Sequence, residues 1–237
     1  MGIHPPKNRK LIIFGSGDFA DIAYEYFTRD SSYEVVAFTV DRTYLQETSR
    51  FGLPIVAFEE VEEAFPATEH ELFAAIVYTD LNRTRENVCL RAKSNGYKLA
   101  SYISSRSFVW HNVKLGEHCF IFEDNTIQPF VSVGDNVVFW SGNHIGHHSR
   151  IGSHCFLSSH VVVSGRVEIG DYCFLGVNST ITNNVRIGSR CWISHGTSVA
   201  DDVPSGSLIR SVTSEVCPLN EKVLFRSIAR ASRREGH

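Results

Sequence analysis

Two groups of residues in this 237-residue sequence have the types and spacing to do chemistry. The first centres on His147, two positions after Ile145, with Gly165 eighteen residues further on. A neutral imidazole at physiological pH is suited to take a proton from an attacking amine or hydroxyl. If Gly165 sits directly beyond it in space, the missing side chain leaves a gap beside the imidazole. The Gly165 N–H could then polarise a thioester carbonyl as an oxyanion donor. The second group is Gly15, Ser16, Gly17, Asp18, Phe19 and Ala20, a G-x-G-x-x-A turn after a short apolar run, with Asp41 about 20 residues on. Such glycines let backbone N–H groups approach a phosphate at a helix N-terminus, and Asp41 would accept hydrogen bonds from a ribose or a base. Asp18 opens the helix and either faces the ligand or caps the helix.

A repeat decides whether His147 and Gly165 are neighbours. The pairs beginning at Leu115, Val133, Ile151, Ile169 and Ile187 are each followed by glycine and recur every 18 residues. Every sixth position from Leu115 to Val199 is aliphatic or aromatic, fifteen in all. Four positions after these come small or β-branched residues, among them Cys119, Asn125, Asn143, Cys155, Cys173 and Cys191. Neither a 3.6-residue nor a two-residue period generates this pattern. Short strands meeting at corners do, three to a coil, with glycine favoured where the backbone turns tightly. The expected architecture is a parallel β-helix whose coils stack at about 4.8 Å. Cys155, Cys173 and Cys191 should form a buried column of packing residues. His118, His148, His154 and His160 fall three positions after an inward residue and are expected on solvent-exposed corners. The pattern is expected to end after residues 201–204.

The N-terminal part reads differently. Strands are expected over residues 10–14, 34–40 and 74–79, with 98–103 closing the unit. Helices are expected from the glycine turn to about Thr28 and from a cap at Asn82 to Gly96, where glycine suits the position after a helix end. Alternating strands and helices make a small doubly wound, Rossmann-like domain. The expected division is 1–104 for this nucleotide-binding domain, 105–210 for the β-helix, and 211–237 for a tail. After Pro218 the tail carries a short amphipathic helix with Leu219, Val223, Phe225 and Ile228 on its apolar side and a basic solvated face.

Composition narrows the functional classes. With 43% apolar and 21% charged residues the chain is expected to fold, and a net charge of −3 argues against nucleic acid as a main ligand. No apolar run approaches the roughly 20 residues of a membrane span, and the start lacks a secretory h-region, so a cytoplasmic protein is expected. Six cysteines without a C-x-x-C pair suggest neither a zinc nor a disulfide framework. A full hydride-transfer enzyme would need a catalytic domain where the β-helix stands.

Residues 143–152 (NHIGHHSRIG), Ser164, Gly165 and residues 174–178 (FLGVN), together with the order of the two parts, resemble the sugar acyltransferases of the NeuD/PglD type. The resemblance runs over residues 10–210. It implies a left-handed β-helix of hexapeptide repeats and a homotrimer with active sites between subunits. It also implies acetyl-CoA lying along the β-helix, a nucleotide-linked sugar held by the N-terminal unit, and no metal. The position of the family's general base is matched by His147. Acetyl-CoA contacts would fall at Ser164, Gly165, Gly176 and Val177, and substrate contacts at Gly15, Ser16, Gly17, Asp18, Asp41, Asn143 and His148. In two places the sequence departs from the family. Well-known members follow the base with glutamate, whereas here His148 follows, so Asn143, a backbone carbonyl or another subunit would orient the imidazole. The usual G-V-P-A-K-like ending is replaced by GSLIRSVTSEVCPL. The implied activity is acetyl-CoA-dependent N-acetylation of a nucleotide-linked amino sugar for a bacterial surface polysaccharide. O-acetylation of a sugar and a non-catalytic nucleotide-sensing scaffold stand as alternatives. In a third, His144 with His147 or His148 would ligate zinc, as in trimeric β-helix carbonic anhydrases.

Overall fold

The computed structural model describes residues 6–212, so the expected tail helix after Pro218 lies outside the described residues. In the N-terminal part, β1 (Arg9–Phe14), β2 (Tyr33–Val40), β3 (Ser49–Arg50), β4 (Leu53–Ala57), β5 (His70–Ala74) and β6 (Lys98–Leu99) form one sheet in the order β3-β4-β2-β1-β5-β6, parallel except for the β3–β4 hairpin. The central strand β1 buries both faces: Leu11 and Ile13 pack towards α1 (Asp18–Arg29), Ile12 and Phe14 towards α2 (Val61–Ala64) and α3 (Arg83–Ser94). This is why it reads as a continuous apolar run. Helix α1 buries Phe19, Ala20, Ala23 and Phe27, a single stripe at helical spacing.

The strand expected over 74–79 is instead His70–Ala74. It pairs residue by residue with β1 from Lys10 to Phe14, and β1 stops at the glycine turn, so nothing remains for a longer β5 to pair with. The apolar residues that follow cover the β-helix: Tyr78 packs its ring on Phe156, Phe174 and Trp192. Asn82 precedes α3 but its side chain makes no capping bond, because Asp80, Leu81 and Asn82 are all left-handed and both Asn82 side-chain polar atoms are buried without a partner. Gly96 does follow the helix end with φ 85°. Residues 98–103 divide, since Lys98–Leu99 joins the sheet whereas Tyr102–Ile103 is the first strand of the β-helix, paired with Phe120–Ile121.

From Tyr102 onward two-residue strands stack in three parallel sheets of seven, six and five. From Ile121 to Val199 the inward hexad positions are buried in one core, and the small residues four positions later are buried too. Each large aliphatic side chain so buried contributes about 1.5–3 kcal/mol before entropy is counted. Cysteine fits the small position for a polar reason as well: the thiols of Cys119, Cys155 and Cys173 point at the carbonyls of Gly134, Gly170 and Gly188, 3.2–3.4 Å away. The repeat does not end at residues 201–204. It shortens by two, so that Ile193 pairs with Ile209 sixteen residues later.

The corners turn differently from the expectation. The left-handed residue is the third after each inward position, from His118 (φ 54°) to Arg190 (φ 60°), and is seldom glycine. Glycine after the inward residue answers crowding instead: a Cβ at Gly134 would lie 2.7 Å from the Ser153 backbone nitrogen one coil on. The three outer faces differ. Phe120, Val138, Phe156 and Phe174 lie under the N-terminal domain. Phe108, Thr126, His144, Val162, Thr180 and Ser198 make an uncharged face, and Lys114, Ser132, Arg150, Glu168 and Arg186 a polar, charged one.

His118 is not on an exposed corner. It is 1% exposed, stacked on Phe73, with Nε2 accepting the Ala74 N–H at 2.9 Å and Nδ1 2.8 Å from Asn136 Oδ1. Burial, then the nearby Arg85 cation, pushes its pKa down to about 3. Arg85, itself fully buried, donates to Asn136 and to the Ile76 carbonyl, so α3 and the β-helix share one polar seam.

Candidate active site

His147 follows the strand His144–Ile145 on the corner that leads from the uncharged face to the charged one. Its backbone is held on both sides: the N–H donates to Gln128 Oε1 at 2.9 Å and the carbonyl accepts the Arg166 N–H at 2.9 Å. The imidazole lies over Gly165 with its Cε1–Nε2 edge nearest, where a Cβ would come within 2.8 Å of both atoms. Gly165 therefore makes room for the ring itself, which fills the gap expected beside it. The ring is exposed, and its one hydrogen-bond partner among the described residues is His148, Nδ1 to Nδ1 at 3.1 Å. His148 is exposed, left-handed (φ 59°) and stacked on Phe130 at 4.6 Å.

At the other candidate site, Gly15 (φ 132°) is required, because a Cβ would meet the Ala75 carbonyl at 3.0 Å. Gly17 caps α1, no side chain bonds its first turn, and the N–H groups of Ser16, Gly17, Asp18 and Phe19 donate to nothing among the described residues. Beside this cradle lies a cavity of about 110 Å³ lined by Ser16, Tyr44, Gln46, Glu47 and Arg50. Arg50 donates to the Ser16 carbonyl and pairs with Asp21 at 3.1 Å.

The family model "Bacterial transferase hexapeptide (six repeats)" matches residues 148–183. PerB from Caulobacter crescentus, solved in complex with CoA and GDP-perosamine, is 26% identical with a TM-score of 0.75, covering 84% of this chain and 92% of its own. The acetyltransferase domain of PglB from Neisseria gonorrhoeae is 22% identical with a TM-score of 0.73, over 85% of this chain and 96% of the domain. The same domain in complex with acetyl coenzyme A is 21% identical with a TM-score of 0.72, over 85% of this chain and 95% of its own. No curated protein matches the sequence. In its hexapeptide segment and its fold the chain is similar to sugar acyltransferases of the NeuD/PglD type. Its β-helix is left-handed, as in those structures.

Within this fold several expected residues stand elsewhere than the sequence suggests. Asp41 does not face the glycine turn. Its carboxylate pairs with Arg91, which rests on the Phe58 ring, so it is turned towards α3 and away from the cavity at Ser16. Asn143 does not orient His147. It is 1% exposed, donating to the Trp140 carbonyl at 2.5 Å and accepting the Val161 N–H at 2.8 Å inside the stack. The Gly165 N–H, expected as an oxyanion donor, is committed to Asn183 Oδ1 at 2.8 Å. Ser164 and Gly176 spend their N–H groups on the next coil, at Ile181 and Ile193. Val177 is 43% exposed and its N–H has no partner among the described residues.

Ser164 and Gly165 share the His147 corner, whereas Gly176 and Val177 turn the corner on the opposite edge of the uncharged face. Within one chain these two pairs do not meet. Among the described residues no three His, Cys, Asp or Glu side chains gather as a metal site, and no helix is long and apolar enough to cross a membrane. Sequence reasoning missed Gln128, Asn183 and Arg50. Asn183 stands eighteen residues after Gly165, so the repeat arithmetic could have found it. Nothing local marks Arg50.

Proposed function

We propose that this protein moves the acetyl group of acetyl-CoA to the amino group of a nucleotide-linked amino sugar, with His147 as general base. The observation that carries the reading is the imidazole seated over Gly165 on an exposed corner, its Nε2 without a partner among the described residues. The acceptor nitrogen attacks the thioester carbonyl as Nε2 removes its proton, and the CoA thiolate leaves. The free amides at the start of α1 suit the diphosphate of the nucleotide, with Arg50 beside them. The Caulobacter relative, 26% identical and in complex with CoA and GDP-perosamine, supports both ligand classes.

The active form on this reading is a homotrimer. The uncharged face offers a surface that desolvates at little cost, and packing copies through it would bring the Gly176 and Val177 corner of one copy to the His147 corner of another. Acetyl-CoA would lie along that seam. The enzyme works in the bacterial cytoplasm, and its product enters a surface polysaccharide. Val162→Lys, at a side chain 38% exposed on that face, should give monomers by light scattering and abolish transfer.

The test is free-thiol release from acetyl-CoA against UDP-, dTDP- and GDP-linked amino sugars, with wild type beside His147→Ala. Release with one sugar, lost in the variant, is expected. No release with any of them, and no thermal shift with CoA, would remove the enzyme reading.

A further inference from the structure

Two imidazole nitrogens 3.1 Å apart admit one proton between them, because two lone pairs or two N–H bonds facing each other at that distance repel. One ring donates and the other accepts. His148 is held before any substrate arrives: its N–H donates to the Pro129 carbonyl at 3.1 Å, its backbone is left-handed, and its ring stacks on Phe130. Among the described residues no other group reaches Nδ1 of His147, since Gln128 is spent on the backbone N–H and Asn143 is buried inside the stack.

Resting on the reading above, we propose that His148 is the positioning residue of His147, accepting its Nδ1–H and so leaving Nε2 of His147 unprotonated as the base. His148 then keeps its own proton on Nε2 of its exposed ring. In the reaction the new C–N bond forms and the amine N–H breaks to His147 Nε2. The thioester C–S bond breaks next, and the proton passes from Nε2 to the departing thiolate. Throughout, the transient imidazolium keeps its Nδ1–H on a neutral acceptor, which spreads its charge over two rings. Without that acceptor His147 is free to carry its proton on Nε2, the tautomer that cannot act as base there.

Nitrogen-15 NMR of the histidine side chains of the full-length protein reads the tautomer with no substrate present, the His147 signals being those lost in His147→Gln. Wild type should show His147 protonated on Nδ1. His148→Phe keeps a ring on Phe130 and lacks the acceptor, and Phe130 itself holds φ 65°, so phenylalanine fits a left-handed corner. That variant should shift His147 towards the Nε2–H form. In the thiol-release assay it should lower kcat by ~10- to 100-fold with KM for both substrates unchanged. His148→Glu, which restores an acceptor, should recover most of the loss. An Nε2–H His147 in wild type, an unchanged tautomer in His148→Phe, or a wild-type kcat in that variant overturns the proposal. Should wild type release no thiol with any sugar, the acyl-transfer reading fails and the tautomer alone decides this one.

Discussion

His118 and His147 stand on corners of the same β-helix, His118 third after an inward position and His147 second. His118 lies under the N-terminal domain, gives its Nε2 to a backbone N–H of β5, and is held neutral by burial. His147 lies on an exposed corner, over Gly165, with His148 as its ring's one hydrogen-bond partner among the described residues. The difference teaches that hexapeptide spacing sets where the corners fall, and that what covers each corner decides whether a histidine becomes structure or chemistry.

The comparison breaks most sharply at His147. His147→Ala should cost at least ~10²-fold in turnover while melting temperature and nucleotide binding stay unchanged, as expected for a general base on an exposed corner. At His118 the effect should fall on stability instead. His118→Leu strands the Ala74 N–H, while Asn136 Oδ1 keeps its Arg85 donor, at about 1–3 kcal/mol by denaturant unfolding.

The same histidine sets a pH signature. Between pH 6.5 and about 3 the unfolded imidazole binds a proton that the native one does not. Its contribution is therefore complete above pH 6.5 and is lost as the pH falls, at up to about 1.4 kcal/mol per unit. Subtracting the His118→Leu curve from the wild-type curve should isolate that limb. A flat difference would mean the imidazole is not held neutral.

Gly165→Ala sharpens the other side. The new Cβ would lie 2.8 Å from the His147 ring, so the ring must move, lowering turnover by ~10-fold with about 1–3 kcal/mol of overpacking. The smallest effect belongs to the uncovered charged face. Glu168→Gln, breaking an exposed pair with Arg186 at 3.7 Å, should change stability by less than about 1 kcal/mol.

Much of this was legible in the sequence. From Ile121 to Val199 the inward hexad positions are buried as read, the Cys155, Cys173 and Cys191 column forms, and Gly165 lies beneath His147. What failed did so where a second element intervenes. The run 74–79 looks like a strand, but its extent belongs to β1, which ends at Phe14. Asp41 stands where a ribose ligand is expected, yet Arg91 on α3, fifty residues away, takes it. Arg50 reaches the glycine turn only because a hairpin folds back onto α1, with Phe51 stacked on Tyr24 at 4.3 Å.

The sequence by itself determined the β-helix, its coil register and the alignment of His147 with Gly165, because these follow from a local period repeated over many coils. Only the tertiary structure decided that His118 is buried under the N-terminal domain and that Asp41 is already spent on Arg91. Each depends on which donor or surface arrives from another element, and a one-dimensional period carries no information about such partners.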